Sequence, residues 1–146
     1  MSWADYITNS LVNKQDASGH VYNNVLAEAS IMGINGGEWA KTSGLSINKN
    51  EVQALVKLFS SKEPPSPAIT LGGKKYQITH YEEDNVAYLK IKEGGATVAK
   101  THQAFIIGVY DTTKKFKYGG KEMFQSVGMC NTVVEDLAGQ LKEKGY

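Results

Sequence analysis

The spacing of apolar positions along this chain changes several times, and each change predicts an element. Trp3, Tyr6, Ile7, Ser10 and Leu11 fall at i, i+3, i+4, i+7 and i+8, one stripe of an amphipathic helix. Ser2 stands where a cap belongs, and Asp5 three residues on completes an approximate capping box. This helix is expected to end near Gln15, before Asp16-Ala-Ser-Gly19. Residues 25–32 are mostly small and apolar and suit a buried strand. Residues 33–37 are a Gly-rich turn, and residues 38–42 return as a second strand. Asn48-Lys-Asn-Glu51 opens another capped helix, with Val52, Leu55, Val56 and Phe59 on its stripe. All three prolines sit in Pro64-Pro-Ser-Pro67, which must be a loop.

The middle of the chain reads as a meander. Residues 69–71 and 74–81 are strands joined by Gly72-Gly73, and Glu82-Glu-Asp-Asn85 is a polar turn. Residues 86–92 alternate, with Val86, Tyr88 and Lys90 on one side and Ala87, Leu89 and Ile91 on the other. Gly94-Gly95 is expected to turn the chain into strands over 96–100 and 104–110. Lys114-Lys-Phe-Lys117 and Gly119-Gly120 read as a longer loop. Met123, Val127, Cys130, Val134, Leu137 and Leu141 then repeat at helical spacing, predicting a final helix packed on a sheet. The order helix, strand pair, helix, meander, helix is that of an α+β fold with one antiparallel sheet. With 146 residues, the chain is expected to form one domain over 1–146.

Composition narrows the classes of function. No apolar run approaches the roughly 18 residues of a membrane span, and no leader-like segment opens the chain. The lone Cys130 excludes an internal disulfide framework and a multi-cysteine metal site, so a reducing, cytoplasmic setting is expected. The net charge of +1 hides an uneven distribution. Residues 1–73 carry five Lys against six acids, residues 74–121 nine against five, and residues 122–146 two against four. Every basic residue among the sixteen is Lys. Without Arg, bidentate guanidinium recognition and an arginine finger are both excluded.

Signatures of catalysis are mostly absent. The chain has no G-x-G-x-x-G, Walker, H-E-x-x-H or G-x-S-x-G motif, and His20, His80 and His102 lie apart without ligand spacing. No cofactor or metal is implied. Cys130 with His80 or His102 is a conceivable hydrolase pair, but its place on an apolar stripe fits a buried core residue far better. The aromatic residues near the two ends say more. Trp3 and Tyr6 share a helical face, Trp39 follows a Gly turn and Tyr146 is the last residue. Flat rings with polar tips suit the groove that holds a polyproline II segment. Periodicity alone fits Trp3 and Tyr6 as ordinary core more readily.

The sequence resembles the profilin family over essentially its whole length. Met1-Ser-Trp-Ala-Asp-Tyr-Ile7 is similar to the family's opening, Trp39-Ala40 to its strand after the first hairpin, and Leu71-Gly-Gly-Lys-Lys75 to its Gly-Gly-x-Lys hairpin. Leu89-Lys-Ile-Lys92 resembles its basic strand, and residues 130–141 its last helix. The resemblance implies a profilin-like central antiparallel sheet flanked by helices, the N- and C-terminal ones on one face. It implies a non-enzymatic, monomeric protein of the cytoplasm and cytoskeleton. Such a protein binds monomeric actin and proline-rich partners such as formins, promotes nucleotide exchange on actin, and is modulated by phosphoinositides. The polyproline groove would be Trp3, Tyr6, Asn9, Trp39, Gln140, Leu141 and Tyr146. The actin face would draw on Lys75, Ile78, His80, Lys90, Lys92, Gly128, Asn131 and Asp136. A phosphoinositide surface would draw on Lys74, Lys75, Lys90, Lys92, Lys114, Lys115 and Lys117, and lipid sensing is the alternative principal role. Taken alone, these lysines fit a plain solvated strand face. Gln140 stands where many animal profilins have His, Lys90 and His80 where they often have Arg, and Thr132 where a basic residue is common. Pro65-Ser66 replaces an aromatic–apolar pair at the edge of the actin face.

Overall fold

The first helix is capped as expected: Ser2 Oγ accepts the Asp5 N–H and the Asp5 carboxylate accepts the Ser2 N–H. In the computed structural model, which describes residues 2–146, this helix (α1, Trp3–Tyr6) widens at once into a π-helical segment, Ile7–Val12. The Asn13 N–H bonds the Thr8 carbonyl five residues back, 3.1 Å away. The helical run therefore stops at Val12 instead of near Gln15. Pairing with the segment that follows decides this. The Val25 N–H bonds the Val12 carbonyl, the Asn24 N–H bonds the Asn13 side chain, and Lys14–Gln15 (β1) pairs with Val21–Asn23 (β2).

Glu28–Gly33 (β3) and Glu38–Lys41 (β4) are the expected strand pair, although residues 25–27 precede the strand. Lys49–Phe59 (α2) starts on the reciprocal Asn48/Glu51 capping box. Its stripe differs at one position, since Leu58 is buried and Val56 is exposed. The meander follows as Ala68–Leu71 (β5), Lys74–Glu82 (β6), Val86–Ile91 (β7), Gly94–Lys100 (β8) and Ala104–Asp111 (β9). The predicted loop at 114–120 is instead the hairpin of Lys115–Tyr118 (β10) and Lys121–Phe124 (β11). Val127–Glu143 forms α3, capped by Ser126. Its buried stripe starts at Cys130, while Met123 lies exposed on β11 and Val127 is exposed on the first turn.

Two antiparallel sheets result where one was expected: seven strands in the order β4-β3-β9-β8-β7-β6-β5, and four in the order β1-β2-β10-β11. The alternation in β7 explains how the large sheet is covered. Val86 and Tyr88 face a core closed by α1, the π segment and α3. Ala87, Leu89 and Ile91 face a second core closed by α2. Gly94 and Gly95 do not make the turn. They begin β8, and the turn falls on Lys92-Glu93, with Glu93 at φ +60°. A Cβ on Gly95 would lie 2.3 Å from the Leu89 carbonyl oxygen and 2.6 Å from the Tyr110 hydroxyl, so these glycines serve close packing across strands. Among the described residues no helix is long and apolar enough to cross a membrane.

Candidate functional site

Three segments far apart in sequence bring their aromatic rings together. Trp3 opens α1, Trp39 lies on the edge strand β4, and Tyr146 follows α3. Trp3 is central, with ring centroids 4.6 Å from Trp39, 5.0 Å from Tyr146 and 5.5 Å from Tyr6. Tyr146 is anchored by its backbone: its N–H bonds the Leu141 carbonyl, and its own carbonyl accepts from Gln103 N–H at 2.6 Å and Thr101 Oγ at 2.9 Å. The residue stays 40% exposed, and Trp3 and Trp39 are half-buried. Neither indole N–H has a partner among the described residues, and neither is a buried orphan. The result is a row of flat apolar faces with free donors beside them. Asn9 and Gln140 are exposed, whereas Leu141 is fully buried and belongs to the core beneath the rings. Tyr6 is 7% exposed, and its hydroxyl is met by the Lys144 ammonium at 2.9 Å, a neighbour 138 residues away that sequence spacing does not reveal.

The second set of candidates gathers on strands β6 and β7 and on α3. A bulge at Thr79 decides who belongs to it. Gln77 pairs with Lys90 and Ile78 with Leu89, but after the bulge His80 pairs with Tyr88. Lys75, Gln77, His80 and Lys90 therefore share the face of Tyr88, and the His80 and Tyr88 rings lie 4.9 Å apart. Ile78 does not share this face. It turns towards α2 with Tyr76 and Tyr81, and Tyr81 hydrogen-bonds the Leu58 carbonyl at 2.5 Å. Tyr88 donates to Glu135 on α3 at 2.9 Å, and burial followed by that carboxylate pushes its hydroxyl up to about 12. Thr97 on β8 donates to Asn131 at 2.5 Å. These bonds tie α3 to β7 and β8. Asp136 is paired with Lys14 of β1, and Gly128 lies open, with nothing within 4 Å of a Cβ built on it. His80 pairs with Glu82 at 2.9 Å, and His80, then Asn85, hold the Glu82 carboxyl below the usual carboxylate range. Alternation in the sequence put Tyr88 beside Lys90, but its bond to Glu135, 47 residues on, and the place of Gln77 opposite Lys90 depend on tertiary pairing that no local pattern marks.

The lysines fall into three groups. Lys75, Lys90 and Lys92 line a shallow depression of about 310 Å³ with Gln77 and Ile91. Lys74 and Lys114 both act on Asp111, whose carboxyl is held low first by hydrogen bonds from Thr113 and then by those two charges. Lys115 and Lys117 on β10 instead face Glu122 of β11, each at 3.9 Å. The Cys–His pair is not assembled. Cys130 is fully buried and directs its thiol to the Gly108 carbonyl, and burial pushes that thiol up to about 12. His80 and His102 are exposed. A thiol so held is not a thiolate nucleophile near neutrality.

A seven-stranded antiparallel sheet with both terminal helices on one face is the profilin fold. The Profilin family model matches residues 1–146, and the chain belongs to that family of non-enzymatic actin-binding proteins. Among solved structures it is similar to Acanthamoeba castellanii profilin IB, at 24% identity and a TM-score of 0.77 over 99% of this chain and 100% of that one. It is likewise similar to Schizosaccharomyces pombe profilin, at 26% identity and a TM-score of 0.74 over 99% and 100% of the two chains. LokiProfilin1, solved in complex with rabbit actin, shares the fold at 13% identity and a TM-score of 0.62, over 82% of this chain and 84% of that one.

Proposed function

We propose that this protein is a cytoplasmic, single-domain adaptor with two binding faces. One face, built from β6, β7 and α3, takes monomeric actin. The other, the ring cluster of Trp3, Tyr6, Trp39 and Tyr146, takes proline-rich segments such as those of formins. The observation that carries the reading is the convergence of Trp3, Trp39 and Tyr146 from three remote segments into one half-exposed cluster. A core has no need of two indole donors left facing solvent, whereas a polyproline II ligand presents rings to stack and carbonyls to accept. Asn9 and Gln140 are exposed and available to it as polar contacts, and Leu141 lies in the core against which Trp3 and Trp39 pack.

For actin, Lys75, His80, Lys90, Lys92, Asn131 and Gly128 form the contact surface, with Asp136 at its margin, while Ile78 lies on the opposite face of β6 against the α2 core and is left out of it. Family membership and the actin complex of LokiProfilin1 support this reading. Nucleotide exchange on actin is then promoted without bond chemistry in this chain, by tighter binding to the open form of actin's cleft. Lys74, Lys75, Lys90, Lys92 and Lys114 support a modulating contact with phosphoinositides, and Lys115 and Lys117 add to it at reduced strength because Glu122 faces both. With no Arg, both contacts are more salt-sensitive than a guanidinium fork makes them.

Pyrene-actin assembly tests the first face. Excess protein is expected to slow spontaneous polymerisation and to form a complex with monomers that weakens as salt rises. Unchanged kinetics together with no complex would refute it. Flotation with phosphoinositide vesicles tests the lipid contact, and no flotation at physiological salt removes it.

A further inference from the structure

Lys144 follows α3 at the rim of the aromatic groove, its ammonium 2.9 Å from the Tyr6 hydroxyl and 5.4 Å from the ring centroid. An ammonium has three donors and no acceptor, so the Tyr6 oxygen accepts this bond and the phenol proton points elsewhere. The same bond, with the nearby phenol, favours the charged form of Lys144. Two N–H groups of the ammonium remain. Among the described residues no carboxylate pairs with Lys144; the lysines that do pair are Lys14, Lys100, Lys115 and Lys117. Asp5, next to Tyr6 in sequence, is committed to the Ser2 N–H at 3.1 Å. At the Tyr6 end of the row of rings, Lys144 thus holds a positive charge that no carboxylate pairs among the described residues.

We infer that Lys144 forms an anion-accepting subsite at the Tyr6 end of the groove, which selects proline-rich segments carrying an acidic side chain beside the proline run. This rests on the groove being a polyproline site. A docked carboxylate meets the free N–H groups of Lys144 while the phenol proton of Tyr6 is left for a ligand carbonyl. A basic flank meets like charge. The gain is that of a partly exposed ion pair, a factor of about two to five in affinity at low salt.

The test is a tryptophan-fluorescence titration with three peptides, the same proline run flanked on both ends by aspartates, serines or lysines. The wild-type chain is expected to bind in the order aspartate, serine, lysine, with the spread closing at high salt. Measured relative to the serine-flanked peptide, the spread is expected to be lost in Lys144→Gln and kept in Lys144→Arg. The same spread in wild type and Lys144→Gln overturns the subsite while leaving the groove intact. A Lys144→Gln protein that binds all three peptides more tightly by one common factor also overturns it, since the side chain would then only cover Tyr6. No response from wild type to any peptide overturns the groove and the subsite together.

Discussion

Replacing Trp3 with Ala separates the two roles that its position allows. The ring touches Trp39, Tyr146 and Tyr6 at centroid distances of 4.6, 5.0 and 5.5 Å, so its loss removes three aromatic pairings at once. Each pairing is worth about 0.5–1.5 kcal/mol beyond area burial. Because Trp3 is only half-buried, the stability cost should stay below that of a core Trp→Ala change, at about 2–3 kcal/mol. For a chain of this size that lowers Tm by roughly 5–10 °C. The effect on ligand is expected to be larger than on the fold's integrity. Loss of the central stacking face should cost at least about 2 kcal/mol of polyproline binding, a weakening of about thirtyfold. Isothermal calorimetry is the right assay, since Trp3 is itself one of the two fluorophores, with circular dichroism to check folding. Actin binding should survive, because the proposed actin face shares no residue with the ring cluster. A polyproline affinity within threefold of wild type would refute the stacking argument. Equal loss of actin binding in a folded variant would show that Trp3 is purely structural.

Two glycines should respond in opposite ways. Gly95→Ala forces a Cβ into backbone at 2.3 Å and should cost about 3 kcal/mol or more in urea unfolding. Gly128→Trp projects into open space and should change stability by less than about 1 kcal/mol while blocking actin; a folded Gly128→Trp protein that binds actin normally removes that residue from the interface. Iodoacetamide at mildly alkaline pH should leave Cys130 unmodified until the chain unfolds, its thiol being pushed up to about 12; rapid labelling of folded protein would contradict that burial. Tyr88, held up to about 12 by burial and Glu135, ionises near 10 once unfolded. The folded state thus keeps a proton that the unfolded state releases, and stability should fall as pH rises from about 10 to about 12. In Glu135→Gln, ultraviolet titration should show one phenol ionising earlier, and an unchanged curve would discount the Tyr88–Glu135 bond.

Much of this architecture was legible locally. Both capping boxes, at Ser2/Asp5 and Asn48/Glu51, formed as their spacing required, because a cap involves only residues three apart. The two faces of β7 were readable from alternation, and the structure adds that each face has its own core. The resemblance named the family, which the match over residues 1–146 bears out. Glu51 shows where local reading stops. Its cap was visible, but the same carboxylate also accepts the Gly72 and Gly73 N–H groups, each at 3.0 Å, and so ties α2 to the β5–β6 turn.

What the sequence determined by itself was the inventory: where helices begin, which positions are apolar, which aromatic and basic residues are available. Tertiary structure decided the assembly. It ended the first helix at Val12 by pairing the next residues with a strand, and turned the 114–120 stretch into a hairpin of a second sheet. It used Gly94 and Gly95 for close packing instead of turning, and by one bulge at Thr79 put His80 with the lysines while Ile78 stayed with α2. The physical reason is range. Caps and periodicities are set by bonds within a few residues, so they are written in the local pattern. Register, bulges and ring clusters depend on which distant segment supplies the partner, and a shift of one residue sends a strand's side chains to the opposite face.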